Sequence, residues 1–196
     1  SARNVGIRNM KGEYSIHCDS DDWIKNDMYE KLYNKALKNN LDIVICDFFV
    51  AFNDNKEKSI EKPTNLNSLS VCNDMLIGKL HGSTWNKLVR TSCILNHNIL
   101  FDEQITYCED VLFNTELLLS NPTIGYVAKP LYVYERISGS ITNSILVKED
   151  VLMFNDYCNT LYKLLKKNEK LRKVFHYHVL RVKLIILNSG FSDCKM

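Results

Sequence analysis

The sequence contains no C-x-x-C pair, no apolar run long enough to span a bilayer, no internal repeat, no low-complexity tract and no strong excess of one charge. Each absence removes a class of protein. The cysteines, Cys18, Cys46, Cys72, Cys93, Cys108, Cys158 and Cys194, are scattered and odd in number, so they read as reduced thiols serving as small apolar residues rather than as a zinc site or disulfide framework. With no membrane-spanning run and no secretory-type opening, the expectation is a cytoplasmic protein. A formal charge of +2 is too small to indicate nucleic acid. There is no initiating methionine, and Ser1-Ala2-Arg3-Asn4 leads directly into a patterned segment, as though the sequence begins inside a larger domain.

What is present suits a globular protein. The 196 residues, 45% hydrophobic and 24% charged, fit one domain or one domain with a helical appendage. Charge is unevenly spread: from Lys148 onward ten lysines and arginines face five acids, a tail of +5 behind a body of −3. Such a tail fits an anionic surface or partner, although a solvated helix face is the commoner explanation.

Taken in order, residues 2–10 read as a short helix and Glu13 to Cys18 as a strand. Asp27 can cap a helix carrying Met28, Leu32, Tyr33, Ala36 and Leu37 at helical spacing, and Asp42 to Phe52 reads as a buried strand completing a β-α-β unit. Residues 53–68 are polar, with Lys56-Glu57-Lys58 and Pro63, and predict an exposed, mobile loop. A helix over 69–80, an extended piece over 85–89 and helical turns over 91–96 follow. A helix then opens at Tyr107-Cys108-Glu109-Asp110, with two strands at 123–127 and 131–137, a flexible loop at 138–140, and helices at 148–167 and 169–187.

The stretch that carries chemistry is Asp19-Ser20-Asp21-Asp22-Trp23. Its three carboxylates emerge together where the first strand stops. They repel one another, and a fold tolerates that chiefly when a divalent cation neutralises them or water surrounds them. A solvated acidic turn capping the next helix is the plain alternative. For Glu109 and Asp110 the plain alternative is helix capping, since acids are favoured at a helix N-terminus.

Together these blocks resemble the later part of a family 2 glycosyltransferase with the GT-A fold. The resemblance rests on Ala2-Arg3-Asn4-Val5-Gly6-Ile7, Gly12-Glu13-Tyr14, Asp19-Ser20-Asp21-Asp22-Trp23, Trp85-Asn86-Lys87-Leu88, Glu109-Asp110-Val111, and the region from Leu131-Tyr132-Val133-Tyr134 to Gly139-Ser140-Ile141-Thr142, all in the expected order. It implies an α/β fold: a partial GT-A domain over 1–145, with a mixed sheet, flanking helices and no N-terminal nucleotide-binding strands, plus a C-terminal helical extension over 146–196. A sheet edge left open by those strands could be covered by a second copy of the chain.

The activity implied is an inverting, metal-dependent transfer of a sugar from a nucleotide-diphosphate-sugar donor to a hydroxyl of a glycan or lipid-linked saccharide. Mg²⁺ or Mn²⁺ would stabilise the diphosphate leaving group. By similarity Asp21 is a metal ligand, Asp19 touches the ribose or a metal-bound water, Asp22 orients the loop, Asp110 is the base and Glu109 binds the acceptor hydroxyl. Arg3 lies near the nucleotide, Trp85 offers a sugar platform, and Lys87 and Arg136 approach the diphosphate. Each has its plain counterpart: a surface arginine, a core tryptophan, ordinary cations.

His17 reads as a half-buried histidine rather than a ligand, and Tyr14, Tyr107, Tyr132 and Tyr134 as packing residues. The basic C-terminal helices, with His176, His178, Arg181 and Lys183, either rest on an anionic membrane, as a peripheral protein would, or cover the catalytic domain or pair between subunits. Two rival functions remain open: a non-catalytic chain that only binds or oligomerises, and a metal-dependent phosphohydrolase, which the Asp22-Trp23 continuation argues against.

Overall fold

The computed structural model describes residues 1–52, 55–136 and 148–191, with side chains of the last segment described over 153–185. Helix α1, Ala2–Asn9, is capped by Ser1 and buries Asn4 and Ile7. The Asn4 amide behaves like a strand partner. It donates to Phe101 O and accepts from Phe101 N, both at 2.8 Å, which fixes α1 on a segment a hundred residues away.

The predicted first strand shortens to β1, Tyr14–Ser15, because the chain leaves the sheet after Ser15 and next pairs as β2, Trp23–Ile24. Helix α2, Met28–Asn39, buries Met28, Leu32 and Ala36 completely, one residue per turn on one face. Asp27 occupies its cap position without making a capping bond; its carboxylate pairs with Lys31 instead. Asn40, at φ 47°, ends the helix in the left-handed conformation.

Strand β3, Ile43–Phe52, is the middle of the molecule. Its neighbours are β4 (Asn55–Ser59) and β5 (Lys87–Arg90), both antiparallel, and β6 (Ile124–Glu135), which runs parallel to it. The order is β1-β5-β3-β6-β2, with β4 joined to β3. Alternation along β3 divides the core. Ile43 and Ile45 face a cluster built with helices α3 (Ser68–Leu76), α5 (Glu109–Leu119), α6 (Lys148–Leu165) and α7 (Glu169–Phe191). Val44, Cys46 and Phe48 face α2, Trp85 and Tyr132 on the other side. The result is the mixed α/β sheet with flanking helices that the sequence implies.

Three local expectations are corrected. The 53–68 segment is not a plain mobile loop: β4 pairs with Phe48 to Phe52, and Glu61 and Pro63 are buried. Its alternation is hidden because backbone pairing at the end of β3 holds a strand whose side chains are mostly solvated. Helix α3 stops at Leu76 rather than near residue 80, since the amides of Lys79 and Leu80 turn back onto Asp74 O at 2.8 and 3.1 Å. The two strands expected around Lys129-Pro130 are one, β6. A register shift, from Cys46 opposite Val127 to Asp47 opposite Pro130, lets the chain pass the proline without breaking the ladder. A short helix α4, Thr91–Asn96, matches the helical turns expected there. The loop at 138–140, the Gly139 to Thr142 motif and Cys194 lie outside the described residues.

Candidate functional site

The acidic run forms the return between β1 and β2, where the amide of Asp22 reaches Asp19 O at 3.3 Å. Its three carboxylates do different things. Asp22 accepts from Tyr132 Oη at 2.7 Å and from the Glu135 amide at 2.9 Å, so it stitches the turn to β6. Burial raises its pKa, while those two bonds oppose the shift. Tyr132 Oη also accepts from the Asp19 amide at 3.1 Å, holding both ends of the turn. Asp21, by contrast, is exposed and has no hydrogen bond or ion pair among the described residues.

Asp19 turns toward α1. Arg3 Nη2 lies 3.5 Å from Asp19 Oδ1, while Arg3 Nη1 donates to Glu109 Oε1 and Asp110 Oδ1, each at 2.8 Å. One guanidinium thus gathers three carboxylates from two separate parts of the chain, the acidic turn and the start of α5. It is held in place by the Asn4 clamp and by the Phe101 ring, whose centroid is 5.1 Å from the guanidinium carbon. Glu109 and Asp110 occupy the first turn of α5, as expected, yet neither caps it; Cys108 holds the cap position at φ 59° without a side-chain bond.

Burial pushes the Asp110 carboxyl up to about 6; Arg3 pulls the other way, and the neighbouring charges of Glu109 and Asp19 raise it further. The Arg3 guanidinium is raised: burial opposes its charge, but the three carboxylates together outweigh that cost. Asp110 is therefore a half-buried acid poised near neutrality beside an open turn, the condition in which a carboxylate exchanges protons.

Other candidates sit elsewhere. Trp85 is a core residue, 3% exposed. It stacks on Tyr132 at 4.4 Å and Tyr134 at 5.7 Å, with Phe48 edge-on at 4.7 Å, so it offers no open face to a sugar. Lys87 is buried too, and its ammonium donates to His81 O, Ser83 O and Asn86 Oδ1 rather than pointing into a diphosphate site. Burial lowers it to about 8, with Glu61 and Asp110 acting against that. Arg136 is exposed at the end of β6, its amide bonded to Ala51 O. His17 is half-buried against Phe101 and Phe113, and burial takes it down to about 4, which suits the packing role.

Two contributors were not evident from the residue pattern. Tyr132 packs on Trp85, as its residue type suggests, and its hydroxyl also organises the acidic turn. Asn114 on α5 donates to Gly82 O and Ser83 O, tying the helix that carries Asp110 to the turn around Lys87. Gly82 permits this approach, since a Cβ there would lie 2.6 Å from Val111 Cγ2. An asparagine 31 residues beyond the Ser83 carbonyl it binds carries no periodic signal.

No three His, Cys, Asp or Glu side chains among the described residues converge on a point that would hold a metal ion alone. The donor set fits a different arrangement. A hard cation such as Mg²⁺ is commonly held by one or two carboxylates and by substrate phosphates, with water in the remaining positions. Asp21 is uncommitted and suits that role; Asp22 does not, because its oxygens are engaged by β6.

Residues 1–94 match the family model described as glycosyl transferase family 2. This is a family 2 glycosyltransferase segment. Among curated relatives, the cholesterol galactosyltransferase of Borreliella burgdorferi is 28% identical, over 98% of this chain and 59% of its own length. The putative glycosyltransferase EpsH of Bacillus subtilis is 31% identical over 68% of this chain and 40% of its own. The crystal structure of S. aureus TarS 1–349 in complex with UDP-GlcNAc superposes with a TM-score of 0.66 at 19% identity, covering 97% of this chain and 52% of that one. The glycosyltransferase segment thus has the GT-A type of fold, and it spans about half the length of the proteins it matches.

Proposed function

We propose that this segment carries the acceptor-activating and diphosphate-side residues of an inverting glycosyltransferase. The observation that carries the reading is the Arg3-centred cluster: a half-buried Asp110 near neutrality, beside Glu109 and Asp19, at the mouth of a turn that leaves Asp21 free. The donor class is a nucleotide-diphosphate sugar, a reading supported by the UDP-GlcNAc bound to TarS. The acceptor is a hydroxyl of a saccharide or of a lipid-linked saccharide.

In this mechanism Glu109 orients the acceptor hydroxyl and Asp110 takes its proton as the new bond to the anomeric carbon forms and the bond to the diphosphate oxygen breaks. Arg3 keeps the carboxylates in register and limits how far their mutual repulsion raises Asp110. Asp19, beside Arg3, would contact the donor ribose or water on the ion. Asp21 would hold Mg²⁺ or Mn²⁺, which when bound supplies charge stabilisation to the departing diphosphate. Tyr132 and Asp22 keep the turn in place throughout.

The test uses the full-length protein with Mn²⁺ and a panel of nucleotide-diphosphate sugars beginning with UDP-GlcNAc, reading release of the nucleoside diphosphate with and without EDTA. The expected result is metal-dependent release that Asp110→Asn abolishes while nucleotide binding, measured by calorimetry, survives. Undiminished transfer in Asp110→Asn overturns the assignment of the base. Calorimetry showing no heat with any nucleotide in Mn²⁺ would favour a chain that only binds or oligomerises.

A further inference from the structure

Helix α7 is anchored on one side. His178 is 1% exposed and bonds through Nδ1 to Leu76 O at 2.8 Å and through Nε2 to Tyr157 Oη at 2.6 Å. His178 therefore belongs to the packed side, not to an outward basic face. Arg181 lies over Gly78, where a Cβ would come within 2.7 Å of the guanidinium and where φ is +82°. Leu171 and Val182 complete this inner face.

The anchoring fixes what faces outward. Tyr177, Leu180 and Leu184 are 55%, 58% and 51% exposed. At about 100° per residue they fall within an arc of about 60°. Cations border this apolar seam: Lys173 lies within it, Lys170 along one side, and Arg172 and Lys183 along the other, all exposed. Lys166 and Lys167, also exposed, precede the first turn of α7. Among the described residues only Lys173 of this set has an acidic partner, Glu169, at 3.1 Å.

A water-facing helix has no use for three adjacent half-exposed apolar side chains, and a core-facing one would not ring them with unpaired cations. Both features suit one environment. At the surface of an anionic bilayer the apolar seam enters the headgroup boundary, and the lysine and arginine stems extend along it while their charges meet lipid phosphates.

We propose that the outward face of α7 is a docking surface for an anionic lipid bilayer, with Tyr177, Leu180 and Leu184 inserted and the bordering cations on the headgroups. This surface is independent of the transfer chemistry, since none of its residues belongs to the Arg3 cluster. It would hold the segment at a membrane without a spanning helix; among the described residues no helix is long and apolar enough to cross one.

The test is co-sedimentation of the 196-residue chain with vesicles of phosphatidylcholine alone and with phosphatidylglycerol added. Binding to the anionic vesicles is expected to exceed binding to the neutral ones by at least about tenfold and to weaken with salt. The pair Lys170→Glu and Lys173→Glu should lower anionic binding by about tenfold or more, while the charge-matched pair Lys11→Glu and Lys38→Glu, on exposed lysines elsewhere, should leave most of it. Leu180→Ser with Leu184→Ser should reduce it with unchanged circular dichroism. Equal binding to both vesicle types, equal loss in the control pair, or sedimentation velocity showing a dimer that Leu180→Ser with Leu184→Ser dissociates with no effect on vesicle binding, would each overturn the proposal.

Discussion

The molecule holds two assemblies of carboxylates around cations, and they are built differently. In one, Arg3 gathers Asp19, Glu109 and Asp110, with each side chain still 20–35% exposed. In the other, Asp47 at 0% and Glu61 at 3% exposure are sealed beneath β4. Asp47 accepts from the Glu61 amide at 2.9 Å and from Tyr126 Oη at 2.5 Å and lies 3.2 Å from Lys58, while Glu61 accepts from the His81 amide at 2.7 Å near the buried Lys87. The sealed assembly is closed to solvent and is anchored on the backbone amides of Glu61 and His81 as well as on side chains, so it has one arrangement and its loss is a loss of structure. The open assembly is bonded side chain to side chain across three segments, so its partners can be exchanged for ligand groups at small structural cost. Similar charges are therefore structural in one place and, on the proposed mechanism, chemical in the other.

That contrast is broken most decisively by Asp110→Asn. In the full-length enzyme kcat should fall by about 10³-fold, with nucleotide binding and thermal stability nearly unchanged, as kinetics and a melting curve would show. A comparable fall in stability would place Asp110 with the sealed assembly. Lys87→Ala should do the opposite. It leaves Glu61 and three acceptor oxygens without their buried cation, and unfolding by denaturant should register a loss of about 3 kcal/mol. If the variant is as stable as the parent, the sealed network contributes nothing and the comparison fails.

The pH dependence sharpens the same point. Asp110 is raised to about 6 in the folded protein, so the proton is held more tightly there than in the unfolded chain. Its contribution to stability is therefore more favourable at acid pH and declines as pH rises from the usual carboxylate range through about 6. Activity runs the other way: only the ionised form accepts a proton, so kcat/KM should fall below pH about 6. Removing the cation that lowers it, in Arg3→Gln, should move that acid limb upward by about one unit. A pH–rate profile with an unmoved limb would show that Arg3 is not the counter-ion.

What was legible in the residues followed periodicity. Met28, Leu32 and Ala36 announce a buried helix face, and the apolar run from Ile43 announces the central strand; both are where expected. The ordered motif blocks carried the family. What was not legible depended on partners that residue periodicity does not register. Lys87 follows an Asn and looks like a surface cation, yet three acceptors from residues 81–86 hold it inside. Trp85 looks like a sugar platform until Tyr132 and Tyr134 stack over it. Strand β4 has no apolar alternation because its pairing is carried by the backbone. One signal was available: an aspartate inside Ile45-Cys46-Asp47-Phe48 must be paired, and that alone points to a buried partner nearby.

The smallest effects separate neighbours within the acidic run itself. Asp22→Ala leaves Tyr132 Oη and the Glu135 amide without their acceptor, and it should destabilise the chain by about 1–2 kcal/mol. Asp21→Ala removes a carboxylate with no partner among the described residues, so stability should change by no more than about 0.5 kcal/mol. Denaturant unfolding of the two variants, in the absence of metal and nucleotide, reads that difference directly. A second measurement, calorimetry of the full-length protein with Mn²⁺ and UDP, should then invert the ranking if, as proposed, Asp21 holds an ion that arrives with the diphosphate. If Asp21→Ala proves as destabilising as Asp22→Ala, the run is a structural turn throughout; if it is silent in both measurements, the ion is held elsewhere.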